Sequence, residues 1–125
     1  MLLAILASWT LQAQAQKSRV GASYFKRANE RYAKGDIDGA IADFGTAIMV
    51  DPKFALAYNN RGVARERRSD ADGAIADYSK AIEINPRLAE GYANRGKARL
   101  ARRDFDGAMA DCDTALGLNP RLAQV

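Results

Sequence analysis

Three stretches of the chain carry apolar side chains at i, i+3 and i+7: Ile41, Phe44 and Ile48, then Ile75, Tyr78 and Ile82, then Met109, Cys112 and Leu116. That spacing falls on one face of an α-helix, and no stretch alternates as a strand does, so the pattern predicts an all-α chain. Asp38, Asp72 and Asp106 stand just before these helices, where a carboxylate accepts from free backbone N–H groups and favours the positive helix end. Asp51, Asn85 and Asn119 precede Pro52, Pro86 and Pro120, and a residue before proline is biased away from helix, so each helix is expected to end there. Alanines at 40, 47, 74, 81, 108 and 115 are small enough to let two helix backbones approach closely.

The prolines are 34 residues apart, and the chain divides on them into blocks 21–54, 55–88 and 89–122. Asp-x-Asp-Gly-Ala-Ile-Ala-Asp occurs at 36–43 and 70–77, and returns at 104–111 with Met109 in place of the isoleucine. A fixed period of this length marks an α-solenoid of stacked helix-turn-helix units, an architecture used mainly as a surface for holding other molecules. Before the blocks lie an apolar segment, 1–15, and a short linker, 16–20; a tail, 123–125, follows them.

Each block resembles the tetratricopeptide repeat (TPR). The family's early aromatic matches Tyr24, Tyr58 and Tyr92, and the small residue four later matches Ala28, Gly62 and Gly96. The second-helix alanines match Ala40, Ala74 and Ala108, then Ala47, Ala81 and Ala115; the large residue between them matches Phe44 and Tyr78, with Cys112 in its place in the third block. The turn glycine is kept as Gly35, with Ser69 and Arg103 at the other two positions.

The resemblance implies a concave groove, lined by the first helix of each repeat, that holds an extended or helical peptide. Carried over by position, the groove residues are Phe25, Asn29 and Tyr32, then Asn59, Asn60, Val63 and Arg67, then Asn94, Lys97 and Leu100. A family subset clamps the C-terminal carboxylate of chaperone tails with two lysines, two asparagines and an arginine. This chain matches Asn29 and Asn60, but Phe25 and Glu90 stand at the lysine positions and Asn94 at the arginine position, so that mode is not expected here. The asparagines can hydrogen-bond a ligand backbone, although Asn59 and Asn60 also simply follow the repeat pattern.

The chain of 125 residues is 48% hydrophobic, which suits one modest globular domain. Its net charge of +4 is not a stripe: the blocks balance to zero, +1 and +1, with Lys17 and Arg19 supplying the rest, so no nucleic-acid partner is expected. There is no histidine, which removes the commonest general base and metal ligand, and the chain reads as a non-enzymatic scaffold without metal or cofactor. The Asp-x-Asp-Gly turn has its glycine too early for a calcium loop. Cys112, the one cysteine, is expected to be a buried small hydrophobe.

Arginine pairs at i, i+4 recur on the first helices as Arg27 and Arg31, Arg61 and Arg65, Arg95 and Arg99, alongside Asp43, Asp77 and Asp111 on the second. They read either as a structural ion-pair ladder or as a row of anion-binding forks. Leu2 to Leu11 is almost wholly apolar and is followed by Ala13-Gln14-Ala15, the pattern of an export signal cleaved before Gln16. It implies a secreted or periplasmic protein; as an extra apolar helix on the first repeat it implies a cytoplasmic one. No obvious capping helix follows the third repeat, so Met109, Leu116 and Leu118 are expected at an uncovered end, and weak homo-oligomerisation through that end is the alternative function.

Overall fold

The computed structural model describes residues 1–124; Val125, the last residue of the expected tail, lies outside them. The described residues form six α-helices: α1 (Leu2–Ala33), α2 (Ile37–Val50), α3 (Ala55–Arg67), α4 (Ala71–Ile84), α5 (Ala89–Ala101) and α6 (Phe105–Leu118), followed by a 3₁₀ turn, Pro120–Gln124. α1 packs chiefly on α2, α3 on α4 and α5 on α6, and each pair packs on the next, so three helical hairpins stack into a solenoid. Among the described residues there is no strand.

Periodicity places the helices, and their ends have identifiable chemical causes. Asp36, Asp70 and Asp104 are the N-caps of α2, α4 and α6, each accepting from a glycine N–H three residues on, at 2.9, 2.9 and 3.0 Å. The expected caps Asp38, Asp72 and Asp106 lie inside the first turn instead, because the hairpin turn delivers the earlier carboxylate to the free N–H groups. Gly35, Ser69 and Arg103 hold positive φ (86°, 62° and 64°) in those turns. A side chain there costs about 1–2 kcal/mol, and the cost is borne twice where the family glycine is absent.

The core is a file of small residues facing two large rings. Phe44 and Tyr78 are buried among Ala28, Ala40, Ala57 and Ala64, and Ala74 and Ala98, respectively. Gly62 is required by close approach: a Cβ there would sit 2.6 Å from the Tyr78 ring. Tyr78 donates its hydroxyl to Glu66 Oε1 at 2.9 Å. Burial, reinforced by the Glu66 charge, raises its phenol well above the ordinary range.

Two expectations need correction. Cys112, in register with Phe44 and Tyr78, is exposed rather than buried, because among the described residues no further α-helix packs on α6 as α3 packs on α2 and α5 on α4. Residues 16–20 are not a linker: they continue α1 as one helix from Leu2, since nothing between Gln12 and Val20 is a glycine or proline that would break it. The apolar residues of the helix start are exposed, Leu3 at 83% and Trp9 at 66%. No helix among the described residues is long and apolar enough to cross a membrane. At the other end residues 120–124 form the 3₁₀ turn, and Leu122 and Ala123 border one depression with Ala115 and Leu116, leaving Met109 exposed.

Candidate functional site

α1, α3 and α5 lie side by side, and their shared face gathers most of the expected groove residues. Four asparagines form one hydrogen-bonded chain across it. Asn94 Nδ2 donates to Asn59 Oδ1 at 3.2 Å, Asn59 Nδ2 to Asn60 Oδ1 at 3.2 Å, and Asn60 Nδ2 to Asn29 Oδ1 at 3.1 Å. The chain joins all three repeats. Asn59 is only 2% exposed, so it orients its neighbours rather than offering itself to a ligand, while Asn29 is open to solvent. The carboxamides not used within the chain leave both donors and acceptors available on one surface.

Beside the exposed end of this chain is a pocket of about 190 Å³ between α1 and α3, lined by Asn29, Tyr32, Phe44, Asn60 and Val63. Next to the pocket, Arg67 places its guanidinium carbon 5.6 Å from the centre of the Tyr32 ring. The pocket therefore offers an apolar floor, two amides at the rim and a cation at the edge.

The structure does not bring every expected residue here. Phe25 turns towards the core, 4.8 Å from the Phe54 ring and 5.8 Å from that of Phe44. Lys97 and Leu100 do not line the α1–α3 pocket; Lys97 lines two other depressions, with Ala98 and Ala101 on one side and Cys112 and Leu116 on the other. Leu100 is 55% exposed.

The arginines form a ladder. Arg27 grips Asp43 with Nε and Nη2, both at 2.7 Å, and Arg31 adds a third contact at 3.1 Å. Arg61 and Arg65 hold Asp77 in the same way, and Arg95 and Arg99 hold Asp111, at 2.8–2.9 Å. All three aspartates are 3% exposed. The hydrogen bonds from Arg27 hold the Asp43 carboxyl below the usual range, and the aspartates in turn raise the guanidinium groups of Arg61 and Arg95. The forks are thus filled from within, and the anion-binding reading of these arginines falls. A second series, not foreseen, runs between repeats: Arg68 to Asp38 at 2.9 Å and Arg102 to Asp72 at 2.7 Å. Its signal in the sequence was a basic and an acidic residue keeping one offset of 30 positions across successive blocks.

Comparison with known proteins agrees with this geometry. A family model described as tetratricopeptide repeat matches residues 25–89. Among solved structures, the second TPR of Spaghetti (RPAP3), bound to an HSP90 peptide, is 28% identical with a TM-score of 0.83, over 86% of this chain and 99% of that one. The Arabidopsis OM64 TPR domain is 26% identical with a TM-score of 0.82, over 84% and 87%. The TPR2B domain of yeast Sti1, in complex with pHsp70, is 25% identical with a TM-score of 0.80, over 86% of each chain. No curated protein matches the chain.

Proposed function

Because this chain belongs to the tetratricopeptide repeat family, whose solved neighbours include domains holding peptides, we propose that it is a non-enzymatic scaffold that binds a protein partner through a peptide segment laid along the α1–α3–α5 face. The observation that carries this reading is the asparagine chain with the Tyr32–Val63 pocket beside it. Carboxamides recognise a peptide backbone, whose N–H and C=O groups need both donors and acceptors, and the pocket accepts one apolar side chain of the ligand.

The neighbours' ligands do not transfer unchanged. Phe25 packs inward where the carboxylate-clamping subset has a lysine, and Glu90 is an exposed carboxylate at the second lysine position. The ligand we propose is an internal peptide segment with an apolar anchor, read by its backbone, rather than a free acidic C-terminus. Peptides selected from a random display library should bind Asn60→Ala and Val63→Glu at least about tenfold more weakly than the parent chain, since each change removes backbone bonds or fills the anchor site. Equal affinity in both variants would refute the groove reading, provided their melting curves match the parent's.

We also propose that the chain is exported with cleavage before Gln16. The support is the apolar run from Leu2 to Leu11, which is exposed in the fold, and the small residues Ala13 and Ala15 ahead of the cut. The intact mass of the native protein should correspond to a chain starting at Gln16. Recovery of the uncut chain from cytoplasm would contradict this.

A further inference from the structure

The contacts between successive repeats follow a register that does not stop at the ends of the chain. Arg68 of the second repeat pairs with Asp38 of the first, and Arg102 of the third with Asp72 of the second. One step further, the same series leaves Lys34 at the start and Asp106 at the finish, both exposed. A second series behaves alike. Arg61 lies against Gly45, and Arg95 Nη1 donates to Ser79 Oγ at 3.1 Å. The next members are Arg27, at 52% far more exposed than Arg61 at 19% and Arg95 at 16%, and Asp113, which is exposed. In a third position Ala98 shares a depression with Ser69, and the end members are Glu30 and Arg103. Each of the three end pairs is of opposite charge.

We infer that a second copy of this chain stacks head to tail on the first, its α1 taking the place next to α6 that α3 takes next to α2. The apolar side of the interface is already present on α6: Phe105, Met109 and Leu116 are 59%, 65% and 37% exposed, and Leu116 also borders a depression of about 230 Å³ shared with Cys112 and Ala115. The charges set the register. Lys34 of the second copy meets Asp106, its Arg27 meets Asp113, and its Glu30, larger than the alanine it replaces, reaches out to Arg103. Exposed pairs of this kind contribute little affinity singly, so burial of the apolar residues drives association and complementarity selects the partner. Ala123 and Gln124 occupy the place of Gly21 and Ala22 of the second copy, so the 3₁₀ turn swings aside on stacking. The contact is heterologous, and the assembly is open-ended.

Lys34→Glu and Asp106→Lys test this, because both side chains are exposed and lie outside the proposed peptide groove. In sedimentation velocity at low salt the parent chain should grow in mass with concentration, and less so at high salt. Each variant alone should associate at least about threefold more weakly at low salt, because reversal both removes a weak attraction and adds a like-charge repulsion. Mixing the two variants should restore association, since every head then finds a complementary tail. A parent chain that stays monomeric overturns the proposal. So do variants that associate as the parent does, which places self-association in the exposed apolar start of α1, and a mixture that fails to recover, which gives the α6 face to a different partner.

Discussion

Asp77→Ala is expected to destabilise the fold by about 3 kcal/mol, the lower end of what breaking a buried ion pair costs, because its arginines keep some contact with water. The carboxylate is 3% exposed and accepts three hydrogen bonds, two from Arg61 and one from Arg65. Removing it strands two guanidinium groups whose stems are packed between helices. Arg61→Leu removes one partner only, and Arg65 still neutralises the carboxylate at 2.9 Å. Its cost should be smaller, about 1.5 kcal/mol, the lower end for hydrogen bonds to a charged group, because Arg65 stays paired with the carboxylate and leucine packs where the arginine stem lay. In a domain of this size the alanine variant should melt roughly 10–20 °C lower than the parent. The double variant Arg61→Leu with Asp77→Leu should recover part of that loss, since apolar residues of similar volume replace buried ion pairs well. Thermal unfolding followed by circular dichroism separates the cases. An alanine variant no less stable than Arg61→Leu would show that the ladder does not hold the hairpin together.

Tyr78→Ala is expected to cost a further class of energy, about 3–5 kcal/mol, through loss of a ring that fills the space above Gly62. The ring is fully buried at the middle of the stack, touching both its own hairpin and Ala98 of the next. Tyr78→Phe keeps the ring and loses only the bond to Glu66, whose carboxylate stays wet; about 1 kcal/mol is the expected loss. The same register position gives a control. Cys112→Ala should change stability by about 0.5 kcal/mol or less, because that side chain already faces solvent. Denaturant unfolding of the three variants should rank them in that order. Comparable losses at 78 and 112 would mean that the last hairpin is as well covered as the middle one.

The fold was legible because the repeat is strict. The i, i+3, i+7 pattern, the proline spacing and the recurring alanines each fix the same three hairpins, and the helices follow them. What the sequence left open depended on neighbours in space. Cys112 reads as core by position, yet its exposure is decided by what lies beyond α6. Asp38 reads as the cap by position, yet the turn geometry gives the Gly39 N–H to Asp36 and leaves Asp38 to Arg68. The arginines could have been ligand forks or a ladder until the distances to Asp43, Asp77 and Asp111 filled them. In the groove, the residue types at 29, 59, 60 and 94 were evident, but their linkage into one hydrogen-bonded chain, with Asn59 buried in the middle, was not. Phe25 shows the limit of carrying positions over: an aromatic in place of a polar residue turns inward, because burying the ring against Phe44 and Phe54 is favourable.

The central claim is that the asparagine face is the ligand surface, and side-chain amide signals in a heteronuclear NMR titration with a library-selected peptide test it most directly. Asn29 and Asn60 should shift first and most, with Val63 methyl and Tyr32 ring signals moving in step and the amides of α2, α4 and α6 nearly still. Shifts concentrated on the outward faces of α2, α4 and α6, with the Asn29 and Asn60 amides unmoved, would contradict it.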